Sequence, residues 1–159
     1  MDTEEDLLIN KYAAGILNTE DIIEFVNMKL DAGEWSDTFL DILDYDPKSW
    51  VGISELFENY LKEEGFYLPS LEEAVRYLVA HHINLIASGS VEPCSQFRKM
   101  LQEIDSYDYY SKTKDYVGDD LGIHVMYGWY YEDYCSVEKI NQGIFNESKV
   151  WVSKYAKKH

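Results

Sequence analysis

The sequence predicts an all-α protein, a single-domain bundle of seven or eight helices with one long tyrosine-rich loop. Three observations carry this expectation. Apolar residues recur at helical spacing along most of the 159 residues. Serine, threonine, aspartate and proline stand where helices would begin, and glycine where they would end. No segment alternates cleanly between apolar and polar residues with a hairpin turn beside it. The length suits one domain over 1–159, and a hydrophobic content of 46% with 15% aromatic residues supplies a core that needs no disulfide or metal.

The first helix is expected over Asp6 to Ala14, with Leu7, Leu8, Lys11 and Tyr12 along one face and Gly15 as its stop. Thr19 is the expected cap of a second helix, with Glu20 and Asp21 in the first turn where the helix dipole favours negative charge. Ile22, Ile23, Val26 and Leu30 follow the 3.6-residue period, and Gly33 closes the helix. A short helix from Ser36 to Leu43 carries Phe39, Leu40 and Leu43. Asp46-Pro47 opens the next, because proline suits the first helical position. Trp50, Ile53, Phe57, Tyr60 and Leu61 form its apolar stripe, and Gly65 ends it. Ser70-Leu-Glu-Glu73 is a capping box, and Leu71 to Ser88 behind it is the best-defined helix, stopped by Gly89. Pro93 starts a helix to about Ile104. The period then fails from Asp105 to Gly118, which reads as the long loop. Asp119 is positioned to cap a helix through Tyr134, with a strand over Ile123–Tyr127 as the alternative, and Asn146 to Lys157 forms the last helix.

Thirty acidic against 14 basic residues give a net charge of −16. Nucleic acid and anionic lipid repel such a surface, so neither is an expected partner. The longest apolar-looking stretch, Ala74 to Ala87, is broken by Arg76, His81, His82 and Asn84 and is too short for a bilayer. The segment Met1–Asp6 is acidic where a secretory signal would be basic and then apolar, and a cytoplasmic location is expected. Cys94 and Cys135 have no CxxC spacing and read as thiols in a reducing compartment.

The charge is unevenly spread. Residues 1–75 hold 19 acids and 4 bases, whereas the near-neutral, aromatic-rich half over 76–159 holds 11 and 10. Such an acidic half serves either as a solubilising face or as a docking face for a basic protein, steering its approach. Eight of the 14 tyrosines fall between Tyr107 and Tyr134. Tyrosine offers a large contact area at low entropic cost, and beside carboxylates it suits arginine- or lysine-rich surfaces. The residues expected to bind a partner are therefore Glu34, Asp37, Asp41, Asp44, Asp46, Tyr107, Asp108, Tyr109 and Tyr110.

Catalysis has the weaker claim. His81 and His82 are neighbours on a helix and point about 100° apart, so they do not share a ligand. There is no HExxH, no phosphate-cradling glycine loop, and Gly89-Ser90 lacks the second glycine of a nucleophile elbow. Asp119, Asp120 and His124, with Glu132 and Asp133 further on and His82 in support, form the nearest approach to an acid/base or metal-like constellation. Chance pairs of this kind are common in a chain with 30 acids. No cofactor is expected, and His82 reads as a hydrogen-bonded core histidine.

Leu8-Ile-Asn-Lys-Tyr-Ala-Ala-Gly-Ile-Leu-Asn-Thr-Glu-Asp-Ile-Ile-Glu-Phe25 resembles the opening helical hairpin of small bacterial immunity proteins. The acidic helical surface followed by Asp108-Tyr-Tyr110 is similar to the acid-plus-tyrosine face of colicin-nuclease immunity proteins. Leu85 to Pro93, followed by Phe97, resembles a helix–turn–helix step of bacterial proteins encoded near toxin loci. The likeness covers a third of a chain nearly twice as long as those proteins, so no toxin-contact residue is carried over. It implies a stoichiometric inhibitor that occludes a basic toxin domain, a nuclease above all. The alternatives are a small enzyme using Asp119, Asp120 and His124, and a regulatory subunit that self-associates through its aromatic half.

Overall fold

The computed structural model describes residues 3–106 and 121–155. These residues are helical, with no strand among them: α1 (Glu4–Ala13), α2 (Thr19–Asp31), α3 (Asp37–Asp44), α4 (Trp50–Glu63), α5 (Leu71–Ala87), α6 (Pro93–Ser106), α7 (His124–Tyr130) and α8 (Val137–Tyr155). The all-α fold class expected from the periodicity is the one observed. Within it the chain gathers into two compact units: Ile16–Pro69, which holds α2 to α4, and a larger one in which Met1–Gly15 joins Ser70–His159.

In the unit Ile16–Pro69, three short amphipathic helices bury one face each against the other two. Ile22, Phe25 and Val26 of α2 meet Phe39 and Ile42 of α3 and Ile53, Phe57, Tyr60 and Leu61 of α4, all buried. The centre is aromatic. Phe25 packs edge-on against Phe39 and Phe57, with ring centroids 6.4 and 6.1 Å apart, and Phe39 lies 4.8 Å from Tyr60. Gly33, at φ 81°, ends α2 as expected: its N–H bonds the Leu30 carbonyl while the Glu34 N–H reaches back to Lys29, a paired closure that satisfies two otherwise orphan carbonyls.

In the larger unit α5 is the axis, packed by α1, α6 and α8. Ala74, Val75, Leu78, Val79, Ile83 and Ile86 of α5 are buried, together with Ile9 of α1, Phe97, Met100 and Ile104 of α6, and Ile140 and Ile144 of α8. The predicted capping box is present in full: Glu73 N–H donates to Ser70 Oγ, and Ser70 N–H donates to the Glu73 carboxylate at 2.7 Å. Pro93 opens α6. The next N–H, that of Cys94, donates 2.9 Å to the side-chain oxygen of Asn141 on α8, so a partner helix supplies the cap.

Several boundaries differ from expectation, each for a local reason. The α1 cap is Thr3, whose hydroxyl takes the Asp6 N–H, so Asp6 is the third helical residue and not the opening one. Asn18, not Thr19, caps α2, because Asn18 and Asp21 bond each other's backbone N–H reciprocally. The Asp46–Pro47 bond is cis and precedes α4. That helix starts at Trp50 because Ser49 accepts the Gly52 N–H, while Lys48 turns back onto the Ile42 and Leu43 carbonyls at the end of α3. Residues 105 and 106 extend α6 rather than open a loop; the rest of that expected loop, 107–118, lies outside the described residues. The helix expected over 119–134 is shorter, His124–Tyr130, and the strand alternative for Ile123–Tyr127 gives way to it. The last helix starts nine residues early, at Val137, where the Ser136 hydroxyl accepts the Lys139 N–H. Its weak spot, Gly143, is needed by packing: a Cβ there would run into the indole of Trp129.

Candidate functional site

The acidic excess is concentrated in the unit Ile16–Pro69, where 13 acids face three bases, a net of −10. Successive helical residues advance by about 100°, so Asp37, Leu40, Asp41 and Asp44 fall within one arc of α3, opposite buried Thr38, Phe39 and Ile42. All four are exposed, as are Glu34 before the helix and Asp46 after it.

The five expected carboxylates that fall among the described residues are not equivalent. Glu34 is held by Lys29 at 2.9 Å and serves the closure of α2. Asp37, Asp41, Asp44 and Asp46 have no ion pair or side-chain hydrogen bond among the described residues. The bases of the unit are already engaged: Lys29 with Glu34, Lys48 with the end of α3, and Lys62 with Glu58 at 3.3 Å. Lys48 alone brings a positive charge to the end of α3, and the unit as a whole keeps its net −10.

Tyr107, Asp108, Tyr109 and Tyr110 fall outside the described residues. The unit Ile16–Pro69 itself exposes Trp35 (66% exposed), Leu40, Tyr45, Trp50 and Val51 (77% exposed). The sequence reading places Leu40 among the apolar positions of the short helix and Trp50 on the apolar stripe of the next. Leu40 instead shares the outward arc with the aspartates, and Trp50, as the first residue of α4, lies beyond the layer that Ile53, Phe57 and Tyr60 fill. Tyr45 joins the two helices: its ring lies against Gly52, where a side chain would collide with it, so the end of α3 and the first turn of α4 stand side by side. The only hint of this in the sequence is that the aromatics sit at helix ends rather than on the core period.

The catalytic alternative gains no geometry. His124 is exposed on α7, and Asp119 and Asp120 lie outside the described residues. Among the described residues no three histidine, cysteine or carboxylate side chains gather as a metal site. His82 is buried, with Nε2 2.7 Å from the Glu103 carboxylate and Nδ1 2.7 Å from the Gln96 amide nitrogen. Cys94 and Cys135 are both half-buried free thiols, and burial pushes the Cys94 thiol up from its ordinary value. In the tyrosine-rich stretch of the larger unit, Tyr127 and Tyr130 pack on Phe97 at 5.6 and 5.4 Å, and the Tyr130 hydroxyl accepts from Arg98 Nε at 3.1 Å. Tyr131 and Tyr134 remain exposed.

No helix among the described residues is long and apolar enough to cross a membrane. No family model, curated protein or solved structure matches the chain.

Proposed function

We propose that the protein acts by stoichiometric binding rather than catalysis, and that its target is a basic protein, specifically a toxin nuclease domain that it occludes. The observation that supports this reading is the outward face of α3, where Asp37, Asp41 and Asp44 are exposed and have no ion pair among the described residues, in a unit that carries a net −10 and exposes Trp35, Tyr45 and Trp50. Along the helix axis these carboxylates rise by about 6 and about 10 Å. Such a row suits a cationic groove whose ordinary occupant is a phosphate chain. The charge steers the encounter over roughly 8 Å at physiological salt, and the aromatic side chains supply the desolvated area that slows dissociation.

The test is kinetic. With the target captured from lysate and purified, its association with the wild-type protein is compared with that of Asp41→Lys/Asp44→Lys. Both positions are exposed, so the variant keeps the fold. Association is expected to slow by about tenfold or more at low salt and to lose much of its salt dependence. Unchanged association would remove the docking face.

A further inference from the structure

The buried polar cluster between α5 and α6 belongs to the larger unit and is independent of the docking face. His82 and Gln96 are buried there, on helices whose other buried residues include Val79, Ile83, Phe97 and Met100. Both ring nitrogens of His82 are engaged from α6. Nδ1 lies 2.7 Å from the Gln96 amide nitrogen, and Nε2 lies 2.7 Å from the carboxylate of Glu103, whose side chain is 23% exposed. The other titratable neighbour is His81 on the same helix, with ring centroids 5.6 Å apart. Among the described residues α1 and α8, which also pack on α5, bring no hydrogen bond or ion pair to the ring. A buried histidine is ordinarily a weakness in acid, because the charged ring loses its water and needs acceptors for two N–H groups. The two partners here differ in kind. A carboxylate accepts from the ring in either charge state, whereas an amide is a donor at one end and an acceptor at the other, on a torsion that turns readily.

We propose that His82, Gln96 and Glu103 form a proton-operated latch between α5 and α6, in which uptake of a proton at Nδ1 turns the Gln96 amide over. In the neutral state Nδ1 accepts from the amide nitrogen while Nε2–H donates to Glu103. A proton delivered from water to Nδ1 makes both ring nitrogens donors, and the new N–H then faces another donor at 2.7 Å. Rotation of the amide by about 180° brings Oε1 into that place, where it accepts the bond. The bond to Glu103 becomes an ion pair, which offsets the loss of hydration at the ring. No covalent bond breaks apart from the transfer of one proton, and the cluster gains one positive charge. The two helices stay joined in both states, so the folded protein carries the charge instead of unfolding to accommodate it. A charge on His81 opposes the step, because the two rings are neighbours.

The experiment uses the full chain labelled with nitrogen-15, with His81→Gln as a companion that removes the second titrating ring. Both are taken from about pH 8 to about pH 5 while circular dichroism follows the helices. The expected result is that His82 Nδ1 passes from the bare to the protonated range, and that the Gln96 side-chain amide signals shift with the same midpoint while the helical signal holds. Gln96→Glu presents acceptors only, so its ring is expected to carry both protons already at about pH 8 and to show no further step. A ring that keeps a single proton until the helices unfold overturns the latch, whether the acid is taken up at Glu103 or elsewhere. Amide signals that ignore the titration of the ring overturn it as well, since the orientation of Gln96 is then not coupled to the proton. A bare Nδ1 in a folded glutamate variant at about pH 8 does the same. Should that variant fail to fold, the amide signals of Gln96 itself decide the matter.

Discussion

At the scale of the residue, His82 is a buried polar group held at both ring nitrogens. An amide nitrogen can only donate, so the Gln96 side chain makes His82 Nδ1 an acceptor, and the ring proton sits on Nε2, donated to Glu103. Both nitrogens are thus satisfied inside a core that would otherwise penalise them. Replacing Gln96 by leucine leaves Nδ1 buried and unpaired, and is expected to lower stability by about 1–3 kcal/mol in urea unfolding. Nitrogen-15 spectra of the wild-type histidine should show a protonated Nε2 and a bare Nδ1 at mildly alkaline pH. The reverse tautomer, or an unchanged midpoint in the leucine variant, would contradict the network. Burial of His82 was legible in the sequence from its apolar helix; its two partners, 14 and 21 residues onward in α6, were not, because side-chain pairing across helices leaves no local pattern.

At the scale of the element, boundaries were set by whichever cap made its hydrogen bonds, and periodicity alone could not choose between adjacent candidates. Asn18 prevailed over Thr19, and Ser49 over Asp46, by a residue or a few. Helix α8 shows the larger failure and its cause. Gly143 weakens the helical signal, yet that position is where the Trp129 indole presses on the helix, so tertiary packing overrides propensity. Gly143→Ala, helpful to an isolated helix, is therefore expected to destabilise the protein by about 1–3 kcal/mol. In a Trp129→Leu background the penalty should largely vanish, and a double-mutant cycle of unfolding free energies checks it. If the alanine stabilises both backgrounds, the contact is not limiting. The outward aspartates of α3 were readable from their i, i+4, i+7 spacing, whereas Trp35 and Trp50 were not, because residues at helix ends escape the amphipathic period.

At the scale of the whole molecule, the charge is the dominant feature. A net −10 confined to Ile16–Pro69 repels itself, and only packing holds it compact. Adding salt screens that repulsion, so the melting temperature should rise by a few degrees, on the order of what one kcal/mol delivers, between low and physiological ionic strength. A flat or falling curve in a salt-dependent melting series would mean that the acids are already spaced widely enough not to interact.

The division of the larger unit between Met1–Gly15 and Ser70–His159 also fixes an order of events during synthesis. Helix α1 leaves the ribosome before α5, the helix it packs on, which follows more than fifty residues later. The whole unit Ile16–Pro69 emerges in that interval and has every partner it needs to fold at once. Ile9 and the rest of the inner face of α1 meanwhile remain in water. The nascent chain thus carries the bare inner face of an amphipathic helix ahead of a compact, strongly acidic segment that disfavours association with other growing chains.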